Sequence, residues 1–403
     1  MLSILFLTHR LPFPPDRGDR IRSYHLIRHL AQRHRISLAS IVDHPPEHAY
    51  VRHLETLCGS VDLVSVNPRW RKVAAACYFP TTVPLTLPLF ASPVLRARVA
   101  HRLRTNPFDL IFVYSSAMAQ YVLSHGSVVK VIDFIDADSQ KWFDYAVRAA
   151  WPMKAVYWRE GVLLRRYERR VAQVCAHGFA ASERETEILR RIAPHIPFTT
   201  IVNGVNLPAV GRSSPPSRRL VFTGVMDYQP NVDAMTYFVR DIFPLVRARV
   251  PDAELAIVGQ RPTREVLRLG RSSGVTVTGW VPNVAPYLES AAVFVAPLRI
   301  ARGVQNKILE AMAAGVAVVC SSAGLNGFDA VPGRDLLVGD TPDMFAAQVA
   351  LLLIDADRRE ELRRSAGQFV RQHHGWDEHL DRLESVLVDV TERHRINRVG
   401  HPR

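Results

Sequence analysis

The chain has 403 residues, 48% hydrophobic and 22% charged, with a formal net charge of +13. That balance excludes a largely disordered chain and calls for roughly two or three compact units. Its four cysteines (Cys58, Cys77, Cys175, Cys320) lie far apart with no CxxC pair, which argues against a zinc cage or disulfide framework and for buried free thiols in a reducing compartment.

Met1 to Leu7 is apolar but too short for a signal h-region and lacks a basic n-region, so a buried first strand is expected at Ser3–Leu7. A helix follows from about Arg20 to Gln32, presenting Ile21, Tyr24, Ile27 and Leu30 at near-helical spacing. Apolar β-branched runs at Ile36–Ile41 and Val61–Val66 read as the next strands. Val73 to Phe90 carries no charge, but Pro80, Pro84 and Pro88 would break a membrane-spanning helix. A short helix followed by an extended apolar loop is expected instead. Strands at Leu110–Val113, Val128–Ile135, Gly178–Ala181 and Thr199–Val202 complete a first α/β series.

Pro208 to Arg218, rich in Pro, Ser and Gly, reads as a linker. A second series then runs through Leu220–Phe222, Leu255–Val258, Val275–Thr278, Val293–Ala296 and Val316–Cys320, and the last pattern, Glu360 to His394, is helical on both sides of Gly375-Trp376. Strands alternating with helices throughout predict two doubly wound Rossmann-like α/β domains, with the ligand in a central cleft outside the carboxyl ends of the strands.

The positive charge is concentrated. From Arg148 to Arg170 the basic residues are Arg148, Lys154, Arg159, Arg165, Arg166, Arg169 and Arg170, against Glu160 and Glu168, with Trp151, Tyr157, Trp158 and Tyr167 interleaved. Two readings stand: a solvated helix face, or a surface meeting anionic lipid headgroups or a lipid-diphosphate acceptor. No known nucleic-acid-binding motif accompanies it, so no nucleic acid is expected as partner.

The stretch richest in chemistry is VFVAPLRIARGVQNKILEAMAAGVAVVC, Val293 to Cys320. A strand ends near Pro297, Gly303 lies in the loop, and a helix from about Gln305 to Ala314 ends at Gly315, where a left-handed residue is expected. The first N–H groups of that helix and its dipole would favour a phosphate. Lys307 adds a charge, Asn306 a directed hydrogen bond, and Glu310 one turn deeper is suited to accept from a ribose diol.

LEAMAAGVAVV beside APL…G resembles the donor-site helix of glycosyltransferase family 4, a group of retaining enzymes of the GT-B fold. The resemblance extends to VFTGVMDYQPNVDAM (Val221–Met235), AIVG (Ala256–Gly259), VTVTGWVPNVAPYLESAAVFVAPL (Val275–Leu298), FAASERETEIL (Phe179–Leu189), TTIVNGVN (Thr199–Asn206) and His374-Gly375-Trp376. THRLPFPPDRGDRIRSYHLIRHLA, VIDFIDADSQKW and RIARGVQNKILEAMA further resemble the branch associated with exosortase (PEP-CTERM) exopolysaccharide systems.

The resemblance implies an acceptor-side domain at 1–208, a linker at 209–218, a nucleotide-sugar domain at 219–372 and helices crossing back at 373–403. It implies donor binding by Gly18, Gly224, Arg302, Gly303, Gln305, Asn306, Lys307 and Glu310. Asp136, Lys307 and Glu310 are the expected catalytic residues, and Arg165, Arg166, Arg169 and Arg170 the acceptor or membrane side. Four positions depart from the family pattern. Arg302 stands where the family's Glu-x7-Glu pair has its first glutamate. Val225 and Asn231 stand near the positions of its basic diphosphate clamp, and Tyr114 replaces a histidine.

Asp133, Asp136 and Asp138 cluster after an apolar strand, and Asp136-Ala137-Asp138 reads DxD, a pattern that holds a divalent cation in other transferases. It falls in the expected acceptor domain, so no metal and no cofactor are expected, with Asp138 read as the cap of a helix beginning near Gln140.

The expected activity is transfer of a hexosyl group from a nucleotide sugar to a lipid-linked glycan or polysaccharide, with retention. Its expected place is the cytoplasm, peripheral at an anionic membrane. The alternatives are a sugar-nucleotide 2-epimerase of the same fold and a non-catalytic nucleotide-sugar or lipid-binding subunit. A dehydrogenase is disfavoured because no GxGxxG follows the first strand.

Overall fold

The computed structural model describes residues 1–15, 18–42, 48–205, 217–301 and 304–399. The chain divides into two compact units, one of Met1–Val202 with Asp377–Arg403 and the other of Asn203–Trp376. Each is built on a wholly parallel sheet, so every crossover is a helix packed on one of its faces.

In the first unit the strands are β1 (Ser3–Thr8), β2 (Arg35–Val42), β3 (Ser60–Ser65), β4 (Leu110–Tyr114), β5 (Val129–Ile135), β6 (His177–Ala180) and β7 (Phe198–Thr200), in the order β3-β2-β1-β4-β5-β6-β7. In the second they are β8 (Arg219–Thr223), β9 (Glu254–Val258), β10 (Val275–Gly279), β11 (Val293–Ala296), β12 (Ala317–Cys320) and β13 (Leu337–Val338), in the order β10-β9-β8-β11-β12-β13. The order turns back between β1 and β4, and again between β8 and β11. At such switch points the crossovers leave in opposite directions and open a crevice at the carboxyl ends of the strands.

Two-sided burial explains why these strands are continuous apolar runs. Leu220, Phe222, Val293 and Val295 enter the core on one face of the second sheet. Val221, Phe294 and Ala296 enter the core on the other. Each such side chain contributes on the order of 1.5–3 kcal/mol when taken out of water, so a polar residue in any of these strands would be felt.

Several local expectations are corrected. The helix expected near Gln140 begins at Asp138 itself, and Asp138 is not its cap. The Glu185 carboxylate takes the Ala137 N–H at 2.8 Å and the Glu168 carboxylate the Ser139 N–H at 2.9 Å, so carboxylates from elsewhere occupy the capping role. The uncharged stretch is not a helix and an extended loop: helices Pro68–Cys77 and Thr86–Leu89 flank a turn. Glu160 closes the second of these, accepting from Leu85 N at 2.7 Å and Thr86 N at 2.8 Å. No helix among the described residues is long and apolar enough to cross a membrane. Cys58, Cys175 and Cys320 are buried free thiols, but Cys77 is exposed at its helix end. The segment expected as linker, 209–218, falls outside the described residues up to position 216.

Candidate functional site

The second sheet's switch point gathers the residues with the most distinctive chemistry. β8 delivers Gly224, and the helix Asn306–Ala313 that follows β11 delivers Lys307 and Glu310. Gly224 sits in a crowded place. A Cβ there would stand 2.7 Å from Asn231 Nδ2 and 3.5 Å from Lys307 Nζ, and the Gly224 carbonyl leaves no room for a side chain on Gly259. The helix ends as its sequence predicts: Gly315 is left-handed at φ 73°, and the Val316 N–H returns to Ala311 O at 2.9 Å.

Lys307 crosses from its own helix to the β8 side. Its Nζ donates to Asn231 Oδ1 and stands 4.7 Å over the Phe222 ring. Asn231 is fixed in turn, donating through Nδ2 to Val225 O at 2.9 Å. Asn231, which replaces a basic residue of the family pattern, therefore receives the ammonium of Lys307 there. Burial pushes the Lys307 ammonium down to about 8 while Glu310 pulls it the other way. Burial likewise pushes the Glu310 carboxyl up to about 7, opposed by Lys307. Glu310 is half-buried and has no hydrogen-bond partner among the described residues. A carboxylate in that condition is suited to accept two hydroxyl donors.

The helix start is less open than its sequence implies. Gln305 takes the N-cap position without a side-chain capping bond, and its carbonyl receives the Ile308 N–H at 2.9 Å. The Asn306 N–H turns to Val304 O at 3.2 Å. The Asn306 side chain accepts from Asn203 Nδ2 at 3.1 Å, and Asn203 O lies 3.1 Å from His374 Nδ1. The VNGVN and HGW motifs thus steady the start of this helix. Arg302 and Gly303 lie outside the described residues.

Asp136 lies in the first unit. It is half-buried at the exit of β5, directly after Ile135, whose φ of 69° is strained for a β-branched residue. Ser115, leaving the neighbouring β4, has φ 76°. Asp133, grouped with Asp136 and Asp138 by sequence, is instead fully buried, with its Oδ2 2.7 Å from Arg22 Nε. Gly18 is exposed and is the first residue of the helix Gly18–Leu30.

The four arginines lie on the helix Met153–Gln173. Arg165 is half-buried and donates to Gln140 Oε1 at 2.9 Å, whereas Arg166, Arg169 and Arg170 are exposed. Tyr167, counted among the interleaved aromatics, is instead buried in the core of the first unit. Asn231, Asn203 and Glu168 were missed by sequence reasoning, since each acts on a residue far away in the chain.

Comparison with known proteins bears on the fold and on the second unit. Residues 217–355 match a family model described as glycosyl transferases group 1. A 159-residue stretch is 33% identical to the GDP-mannose-dependent alpha-(1-6)-phosphatidylinositol monomannoside mannosyltransferase of Mycobacterium tuberculosis, a match covering 36% of this chain and 41% of that protein. Among solved structures, sucrose-phosphate synthase from Thermosynechococcus elongatus superposes with a TM-score of 0.72 at 16% identity, covering 98% of this chain and all of that one. Anabaena Alr3699/HepE in complex with UDP-glucose gives 0.64 at 13% identity, covering 96% of this chain and all of that one. At such identities the likeness is one of fold. The chain has the two parallel-sheet Rossmann-like α/β domains of the GT-B fold, and the glycosyl transferase group 1 match falls within its second unit.

Proposed function

We propose that the chain is a retaining glycosyltransferase that moves a hexosyl group from a nucleotide sugar to a lipid-linked or polysaccharide acceptor in exopolysaccharide biosynthesis. The observation that carries the reading is the Lys307–Glu310 pair at the β8/β11 switch point, inside the stretch matched by the group 1 model. In this reading Glu310 accepts from the ribose diol. Lys307, relayed to the β8 side by Asn231, faces the diphosphate together with the amides at the helix start. Charge develops on the departing diphosphate, and a fixed ammonium stabilises it without reorganising. Retention follows from attack on the same face of the sugar that the diphosphate leaves, as the family resemblance implies. Asp136 orients the acceptor hydroxyl. The nucleotide sugar is a substrate, and no metal or other cofactor enters the scheme. The chain works at the cytoplasmic face of the membrane.

The relatives suggest which donors to try first, since one is named for GDP-mannose and another is bound to UDP-glucose. Thermal unfolding in a panel of GDP-, UDP-, dTDP- and ADP-sugars should show one nucleotide class raising the melting temperature with the logarithm of ligand concentration once that exceeds Kd. A glycosyltransferase must then release that nucleotide only when an acceptor is added. A chain that no nucleotide sugar stabilises would end the proposal, and one that epimerises its sugar without acceptor would redirect it.

A further inference from the structure

The segment Arg148–Arg170 contains two acids, and both are turned inward. Glu160 is 1% exposed and holds the start of the Thr86–Leu89 helix. Glu168 is 0% exposed and holds Ser139 through its N–H and hydroxyl. The outward surface of the Met153–Gln173 helix is therefore more basic than its composition suggests. It borders an open cavity of about 420 Å³, lined by Arg165, Arg166 and Arg169 together with Phe143, Trp158 and Gln140. No acid is among the lining residues.

The walls are built, not incidental. Phe143 lies flat against Gly161, where a Cβ would come within 2.9 Å of its ring. Trp158 meets Phe143 edge-on at 4.9 Å, and the Arg165 guanidinium stacks over the same ring at 4.5 Å. One Arg165 nitrogen reaches Gln140, but its buried Nε has no partner among the described residues. Arg169 is held through Nε by Ile192 O at 2.9 Å, and Arg166 has no partner among the described residues. Donor capacity therefore exceeds what the protein itself uses, which is the condition of a site for an anionic oxygen group.

The surroundings indicate what carries that anion. Trp151 is 83% exposed and Trp158 57% exposed, with Val147 and Met153 exposed beside them in the chain. One turn of the same helix brings in a second apolar segment. Arg159 donates to Tyr78 O and Thr81 O and stacks 5.1 Å from the Phe79 ring, and Tyr78 and Phe79 are themselves exposed. Tryptophan and tyrosine beside arginine suit the boundary between headgroups and acyl chains, while exposed valine and methionine offer nothing to a nucleic acid.

We propose that this cavity seats the phosphate of an anionic phospholipid, with Arg165, Arg166 and Arg169 on the headgroup and the Trp151, Trp158 and Phe79 side chains entering the bilayer interface. The proposal deepens the acceptor side of the reading above, which requires work at a membrane, but none of its observations involves the donor site.

The test is co-sedimentation of the full chain, without donor sugar, with vesicles of phosphatidylglycerol and of phosphatidylcholine. The chain should pellet with the first, weakening with salt, and not with the second. Arg166→Ala should lose about five-fold in partition, and Trp158→Ser should lose binding as well. Arg170→Ala, one residue outside the lining, should lose less. Both arginines are exposed, so folding is not at stake. Equal losses at the two arginines would reduce the cavity to diffuse charge and overturn the proposal. Release by millimolar inorganic phosphate would identify a site for the free anion and overturn the lipid assignment, as would tighter binding of single-stranded RNA. Failure of wild-type protein to pellet at low salt would end it while leaving donor stabilisation, measured without vesicles, to judge the transferase reading separately.

Discussion

Two cation–carboxylate pairs sit at the carboxyl ends of the two sheets, and they are built to opposite standards. In the first unit Arg22 and Asp133 are 1% and 0% exposed and 2.7 Å apart, and Arg22 also donates to Ile201 O at 2.6 Å. Asp133 has a further partner, the Ile135 N–H at 3.0 Å. In the second unit Lys307 and Glu310 are half-buried; Lys307 is turned to Asn231, and Glu310 has no hydrogen-bond partner among the described residues. A pair buried whole, with the carboxylate bonded to its own protein, holds the fold. One left with open valences and shifted proton affinities is poised for a ligand. The two pairs draw on the same residue classes, and their surrounding hydrogen bonds differ.

Breaking the first pair should produce the largest effect. Arg22→Ala strands a buried carboxylate and should cost about 3–5 kcal/mol of stability, read by urea unfolding of the chain. Replacing both, as Arg22→Met with Asp133→Leu, should recover most of it, since no charge is then left unpaired. A single variant as stable as the wild type would show that the pair is not the anchor described here.

The second pair should behave the other way, with little loss of stability and a large loss of turnover. Lys307→Ala removes an ammonium that is already depressed to about 8 by burial, so the fold gives up little. If that charge acts mainly on the leaving diphosphate, turnover should slow by ~10²-fold. Unchanged turnover in the folded variant would remove Lys307 from the chemistry.

How much of this contrast is legible in the sequence depends on the range over which a pattern acts. The strands are read well because two-sided burial demands unbroken apolar runs, and Gly315 because a helix end needs a left-handed residue. Leu337–Val338 is too short to leave a pattern. Asp133 and Asp136 look alike in the chain because they are three residues apart. They differ in the structure because Asp133 is fully buried with Arg22, 111 positions away, donating to it, whereas Asp136 is half-buried at the strand exit. Asn231 as the receiver of Lys307, 76 positions on, and Glu168 as the cap above Ser139 are equally invisible, since both depend on strand order rather than local spacing.

Glu310 should show a smaller effect, with a dependence on pH. Glu310→Ala leaves donor hydroxyls without an acceptor and should weaken donor binding by about 1–3 kcal/mol. The carboxyl accepts from both diol hydroxyls only when ionised, and burial pushes its pKa up to about 7. Donor affinity should therefore fall as pH drops through 7. Lys307 loses its charge as pH rises through about 8, so kcat/KM should peak between the two, with limbs that belong to the coupled pair. Glu310→Gln should abolish the acidic limb; its survival would assign that limb to another group.

The smallest expected effect is that of chelation, and it tests where the diphosphate is neutralised. A DxD enzyme needs a cation across that group, and the scheme proposed here does not use the aspartates for one. Asp133 is committed to Arg22, and Asp136 and Asp138 belong to the first unit, whereas the group 1 match lies in the second. The described residues do contain one set of metal-like spacing, His29, Asp381 and Glu384, but Arg33 Nη1 already stands 2.6 Å from Glu384 and 3.1 Å from Asp381, where a cation would go. With the leaving charge assigned to Lys307, turnover should be unchanged in excess EDTA while Lys307→Ala remains slow under the same conditions. Silencing by EDTA with recovery on adding manganese would transfer the neutralising charge to a metal, and the contrast between the two pairs would no longer locate the chemistry.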